Sequence, residues 1–105
     1  METIAAAGRY AEPDASGASY DEHLRRPDLS IGTYCLRAGA VDTQDPHEED
    51  EVYVVLEGSG VLEVEGTATP LDEGMALFVP AHAEHRFTAY EHLSLLVIFN
   101  GPHSG

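Results

Sequence analysis

Asp45-Pro-His-Glu-Glu-Asp-Glu-Val-Tyr-Val-Val-Leu-Glu-Gly58 runs from a knot of acidic side chains and one histidine straight into an apolar, β-branched segment. An extended backbone places residues i, i+2 and i+4 on one face, so Asp45, His47, Glu51, Tyr53 and Val55 share one parity. Val52, Val54 and Leu56 take the other. Apolar side chains on both faces predict a strand lying between a filled barrel interior and another packed layer. A carboxylate and an imidazole aimed into such an interior need a partner, because burying them unpaired costs several kcal/mol. A divalent metal ion supplies that partner.

Outward from this stretch, the chain has 105 residues, enough for one domain with a single core. The longest apolar run, Leu93 to Phe99, is interrupted by Ser94 and far too short to span a bilayer. The N-terminus lacks a basic region followed by a long apolar block, so a signal peptide is not supported and the expected location is cytoplasmic. The single cysteine, Cys35, excludes an internal disulfide framework and fits a reducing compartment. Five arginines and no lysine stand against 19 Asp plus Glu, a formal charge of −14. Such a surface repels phosphate backbones and anionic lipids, so neither nucleic acid nor membrane is an expected partner. The acidity reads first as a solubilising surface, and second as a field that draws in cations.

Residues 1–28 carry scattered Gly and Pro without apolar periodicity and read as an irregular arm, with a possible helical turn over 21–26 and His23 at the surface. Leu29 to Ala38 is a loosely alternating strand whose one face carries Ile31, Thr33, Cys35 and Arg37. Facing inward, Arg37 would hold an acidic substrate and Cys35 would approach the metal; facing outward, both are ordinary. The plainer expectation for Cys35 is a small core residue. After Gly58-Ser59-Gly60, strands are expected at Val61 to Glu65, Thr69 to Leu71, Met75 to Val79, His85 to Tyr90 and Leu93 to Phe99, with a hairpin turn at Gly66-Thr67. About seven short strands at this spacing predict an all-β sandwich or small barrel over residues 29–100, followed by a loose tail over 101–105 that includes His103. No Ser/His/Asp triad, P-loop or dinucleotide fingerprint is present.

Two spacings resemble the cupin family. Gly39, five residues, Asp45-x-His47, three residues, Glu51, six residues and Gly58 resemble its first motif, with Asp45 in place of the first histidine. Gly74, five residues, Pro80-x-His82, two residues and His85 resemble its second, with His82 where the family has Gly and Ala89 where it has Asn. The resemblance covers residues 39–89 and implies a cupin-type double-stranded β-helix, or jelly-roll barrel. It implies metal ligands at His47, Glu51, His85 and Asp45, with Gln44 the alternative to Asp45. Two imidazoles with one or two carboxylates suit Fe(II) first, and also Mn(II), Ni(II) or Zn(II). Tyr53, at the parity of Glu51, is the catalytic candidate for a proton donor or substrate hydrogen bond. Phe87, Val55 and Leu77 would complete a mostly apolar pocket for a small molecule. His82 would lie at the barrel mouth and His92 at the surface.

The resemblance leaves three classes open: a metal-dependent enzyme using oxygen activation or Lewis-acid chemistry (oxygenase, isomerase, lyase or cyclase), a sugar or metabolite binding module without catalysis, and a structural barrel. The resemblance also makes the arm over residues 1–28 a candidate to pack on the barrel or on a partner subunit, with disorder the alternative. Small cupins commonly pair, and the apolar surface of Val52 to Leu56 and Leu93 to Phe99 exceeds what one small barrel hides, so a homodimer is expected.

Overall fold

The structure, a computed structural model, describes residues 1, 3–4, 18–37, 48–90 and 92–101. It contains eight strands: β1 (Ala18–Arg26), β2 (Leu29–Arg37), β3 (Asp50–Gly58), β4 (Gly60–Val64), β5 (Thr67–Leu71), β6 (Ala76–Val79), β7 (His85–Thr88) and β8 (His92–Asn100). They form two antiparallel sheets, ordered β1-β2-β8-β3-β6 and β5-β4-β7, and no helix occurs among the described residues. Hence no helix there is long and apolar enough to cross a membrane.

The expected strands all appear, and β1 is an addition. Asp21 to Arg26 has low strand propensity, which favoured the reading of an irregular arm with a helical turn. Register with β2 overrides that propensity: Tyr20 pairs with Tyr34, Glu22 with Gly32 and Arg26 with Leu29 across the Pro27-Asp28 turn. His23 is half-buried rather than simply superficial, and its Nε2 lies 2.9 Å from Thr33 Oγ1.

The most apolar strand takes the middle of the larger sheet. β8 pairs with β2 on one side and β3 on the other, and Leu93, Ser94, Leu95 and Val97 are all buried. Parity on β3 is as expected: Glu51, Tyr53 and Val55 are buried inward, while Val52, Val54 and Leu56 are half-buried on the outer face. On β2, Tyr34 and Leu36 enter the core; Ile31, Thr33 and Cys35 lie on the opposite face, with Cys35 opposite Ser94. Cys35 is buried there, away from the barrel interior, so the reading that put it beside a metal does not hold.

The chain passes from one sheet to the other at Gly58-Ser59-Gly60. Gly58 has φ +90°, and a Cβ on it would overlap the carbonyl oxygen of His92, so only glycine fits this corner. The next hairpin turns at Glu65-Gly66, one residue earlier than expected. Both residues have positive φ, 47° and 81°, as a two-residue type I′ turn requires. Pro70, which cannot donate to a ladder, sits on the edge strand β5.

Two further non-glycine residues adopt positive φ: His82 at 67° and Ala89 at 50°. These are the positions where the resembled motif carries Gly and Asn, the residues that tolerate left-handed backbone best. His82→Gly and Ala89→Asn are each expected to stabilise the protein by about 1 kcal/mol, less the unfolded-state freedom that glycine adds. The check is the denaturant midpoint at unchanged m. Lower midpoints in both variants would contradict the strain assigned to these turns.

Candidate metal centre

Glu51 and Tyr53 lie on β3 and His85 opens β7, so the site is assembled from both sheets. The loop ahead of β7 is pinned at several points. Ala81 N–H donates to Asp50 Oδ1 at 2.9 Å, Ala83 N–H to the Pro80 carbonyl at 3.2 Å, and Glu84 N–H to Glu65 Oε1 at 3.0 Å. The strand that carries Glu51 therefore also holds, through Asp50, the turn that delivers His85.

His85 Nδ1 is 2.9 Å from the Ala83 carbonyl oxygen. A carbonyl only accepts, so Nδ1 carries the proton and, in the neutral ring, Nε2 presents a lone pair. That nitrogen faces Tyr53 Oη at 3.2 Å and Glu51 Oε1 at 3.4 Å. Both side chains of the His85–Glu51 pair are 1% exposed, and Tyr53 is fully buried. The phenol donates to the lone pair, whereas an ionised carboxylate beside that lone pair is repulsive. A proton on either group or a metal ion between them relieves that repulsion. An Nδ1–H tied to a backbone carbonyl is also the usual support for a histidine that ligates through Nε2. Phe87 packs edge-on against Tyr53 with centroids 5.1 Å apart, which fixes the phenol.

Of the expected ligands, Glu51 and His85 come together, with Tyr53 beside them. Asp45, His47 and the alternative Gln44 lie outside the described residues, as does His103. Among the described residues no group of three or more His, Cys, Asp or Glu is placed to hold a metal. The two donors that are placed, one imidazole nitrogen and one carboxylate oxygen in a dry interior, fit a first-row divalent ion. His82 and His92 are exposed.

The expected apolar pocket is instead packed core, since Val55 is 1% and Phe87 3% exposed and Leu77 packs against them. A cavity of about 380 Å³ lies towards β1, between the aromatic rings of Tyr20, Tyr34 and Phe99 and the charged groups of Glu22, Arg25 and Glu49. Phe99 is the cross-strand partner of Glu51, so the cavity adjoins the centre. Sequence reading missed it because β1 supplies one wall; the Pro27-Asp28 turn before a strand was the available signal. The Tyr20 hydroxyl is pushed up to about 12, by burial first and then by Glu22 and Glu51, with Glu49 adding and Arg25 opposing.

The Cupin domain family matches residues 32–99. An uncharacterized protein of Streptomyces coelicolor, SCO3923, is 39% identical over 95 residues, covering 90% of each chain. Dimethylsulfoniopropionate lyase DddW of Ruegeria pomeroyi is 41% identical over 39 residues, which cover 37% of this chain and 26% of that protein. Among solved structures, an RmlC-like cupin of Desulfovibrio desulfuricans superposes with a TM-score of 0.80 at 21% identity, covering 98% of this chain and 99% of the other. A salicylate 1,2-dioxygenase of Pseudaminobacter salicylatoxidans does so with a TM-score of 0.73 at 23% identity, covering 84% of this chain and 27% of that one. The two sheets, the motif glycine at the strand crossing and the match over about two thirds of the sequence agree: the chain belongs to the cupin family.

Proposed function

We propose that this cupin binds a divalent metal ion through Glu51 and His85, joined by His47 and Asp45, and acts as an enzyme on a small molecule beside it. The observation that carries the proposal is the buried carboxylate oxygen facing His85 Nε2 at 3.4 Å. Fe(II) suits the mixed nitrogen and oxygen set best, with Mn(II), Ni(II) or Zn(II) as alternatives. Such an ion, when bound, supplies oxygen activation or Lewis-acid polarisation of the substrate. The protein's own part follows from the geometry. His85, locked by Ala83, offers Nε2; Glu51 offers an oxygen and negative charge; Val55 and Phe87 keep bulk water out. Once the Nε2 lone pair is engaged, the Tyr53 hydroxyl is released to hydrogen-bond or protonate a substrate atom. Asp45, in the place of a histidine, would add a second carboxylate and lower the net charge of the centre. The dioxygenase and lyase among the relatives support an enzyme; the aromatic cavity supports the second reading, a binding module without catalysis.

Elemental analysis of the purified protein and its variants tests the centre. His85→Ala and His47→Ala should lose the metal, Tyr53→Phe should retain it, and Asp45→His should raise the affinity. Full occupancy in His85→Ala would overturn the assignment.

We also propose a homodimer formed through the outer face of the larger sheet. Half-buried Val52, Val54, Leu96 and Ile98 lie in register there, and Phe78 beside Val52 is 63% exposed. Light scattering at low concentration should return twice the 11.3 kDa chain mass, and Phe78→Glu should halve it. A monomeric parent protein would sink the proposal.

A further inference from the structure

Glu51 and His85 reach the centre from different sheets, and among the described residues no ladder joins β3 to β7. The link between them runs through a loop. Val79, the cross-strand partner of Glu51, ends β6, and residues 80–84 lead from it to His85. The loop begins as a tight turn: Ala83 N–H donates to the Pro80 carbonyl, and His82, third in the turn, has the positive φ that a type II turn requires. Two carboxylates from different strands tie it down. Asp50, on β3, accepts from Ala81 N–H at 2.9 Å, and Glu65, at the hairpin between β4 and β5, accepts from Glu84 N–H at 3.0 Å. The two anchors differ. The Glu65 bond is exposed and is backed by a main-chain bond from Glu65 N–H to the Glu84 carbonyl at 2.9 Å. The Asp50 bond is partly buried and ties the loop to the strand that carries Glu51. Asp50 shares the parity of Val52 and Val54, opposite to that of Glu51, so it serves the loop rather than the interior.

We propose that Asp50 is the positioning residue of the centre: through Ala81 N–H its carboxylate sets the gap between Glu51 and His85 Nε2, and with it the affinity for the metal. The inference deepens the proposed function and rests on that reading for the metal. Two donors about 2.1 Å from one ion stand about 3.0 to 3.4 Å apart at octahedral to tetrahedral angles. The gap of 3.4 Å between Glu51 Oε1 and His85 Nε2 already has that width, so the task of the surrounding groups is to keep it. Asp50 is suited to this because it is the chain neighbour of Glu51. Any shift of β3 carries Glu51 and, through the Asp50 carboxylate, the loop that delivers His85 together. A charge-assisted bond to a main-chain N–H, partly shielded from water, is among the stronger hydrogen bonds, and its loss would leave the Ala81 N–H without this acceptor. Groups that orient a metal ligand in this way are typically worth about 10- to 100-fold in metal affinity. A carboxylate also attracts cations by its charge alone. Asparagine separates the two effects, since it keeps the acceptor oxygen and loses the charge.

The test is the affinity for Zn(II), measured by competition with a chromophoric chelator, together with NMR of the metal-free protein. There the contact between the Tyr53 and His85 rings, whose centroids lie 6.1 Å apart, is read from ring-to-ring Overhauser effects. Asp50→Leu, which fills a similar volume without an acceptor, should weaken Zn(II) binding by about 10- to 100-fold and reduce the ring contact. Asp50→Ala serves in the same way should Asp50→Leu not fold. Asp50→Asn should stay within about 3-fold of the parent and keep the contact, and Glu65→Ala, with its main-chain bond intact, should cost about 2-fold or less. A purely structural role would lower the unfolding midpoint of Asp50→Leu and leave the Zn(II) affinity and the ring contact of the folded protein unchanged; that result overturns the proposal. So does an Asp50→Asn protein as weak as Asp50→Leu, which would make the effect one of charge, or a Glu65→Ala protein equally weak, which would take the role from Asp50. The two proposals fail separately. A parent protein that takes up no Zn(II) removes the metal centre, and the ring contact in the metal-free variants then decides whether Asp50 positions His85.

Discussion

Inside an apolar barrel, the lone pair of His85 Nε2 faces a carboxylate, and this is the constraint on which the site depends. The phenol of Tyr53 donates to that nitrogen, and a cation held between the nitrogen and the carboxylate would relieve their repulsion. Every local feature around the histidine serves to keep that nitrogen in place. The Ala83 carbonyl holds the other ring nitrogen, Asp50 and Glu65 fix the loop, and Phe87 braces Tyr53. A buried polar cluster of this kind is stabilising only when its members are mutually satisfied. The strained left-handed turn at His82 lies within the same loop, which places backbone strain next to the centre rather than at random in the fold.

The inward half of this site was legible in the sequence because a strand has a period of two. Glu51, Tyr53 and Val55 fall on one face by spacing alone, and His85 and Phe87 likewise. Motif spacing brought the two strands into one barrel. The remainder was hidden by effects that act between distant residues. β1 has a charged, helix-tolerant sequence, and only its register with β2 makes it a strand. With β1 unread, the cavity wall could not be foreseen, and the expected pocket was placed among side chains that turn out to be close-packed core. The hairpin at Glu65-Gly66 was displaced by one residue because glutamate at positive φ runs against local preference. Cys35 illustrates a different limit: parity gave two faces, and only the pairing with β8 decides which face is inside.

Charge connects the fold to the proposed chemistry. A chain of formal charge −14 gathers three of its carboxylates, Glu22, Glu49 and Glu51, around one phenol at the end of the barrel. Glu51 belongs to the candidate metal centre and Glu22 and Glu49 line the cavity, so the two places adjoin within one acidic region.

The most direct measurement is anomalous X-ray scattering from crystals of the protein, recorded at the absorption edge of the metal found in it. The account predicts a single strong peak within about 2.2 Å of both His85 Nε2 and a Glu51 oxygen, with the Tyr53 hydroxyl moved off the nitrogen. A peak elsewhere, or none there while Tyr53 still holds Nε2, would contradict it.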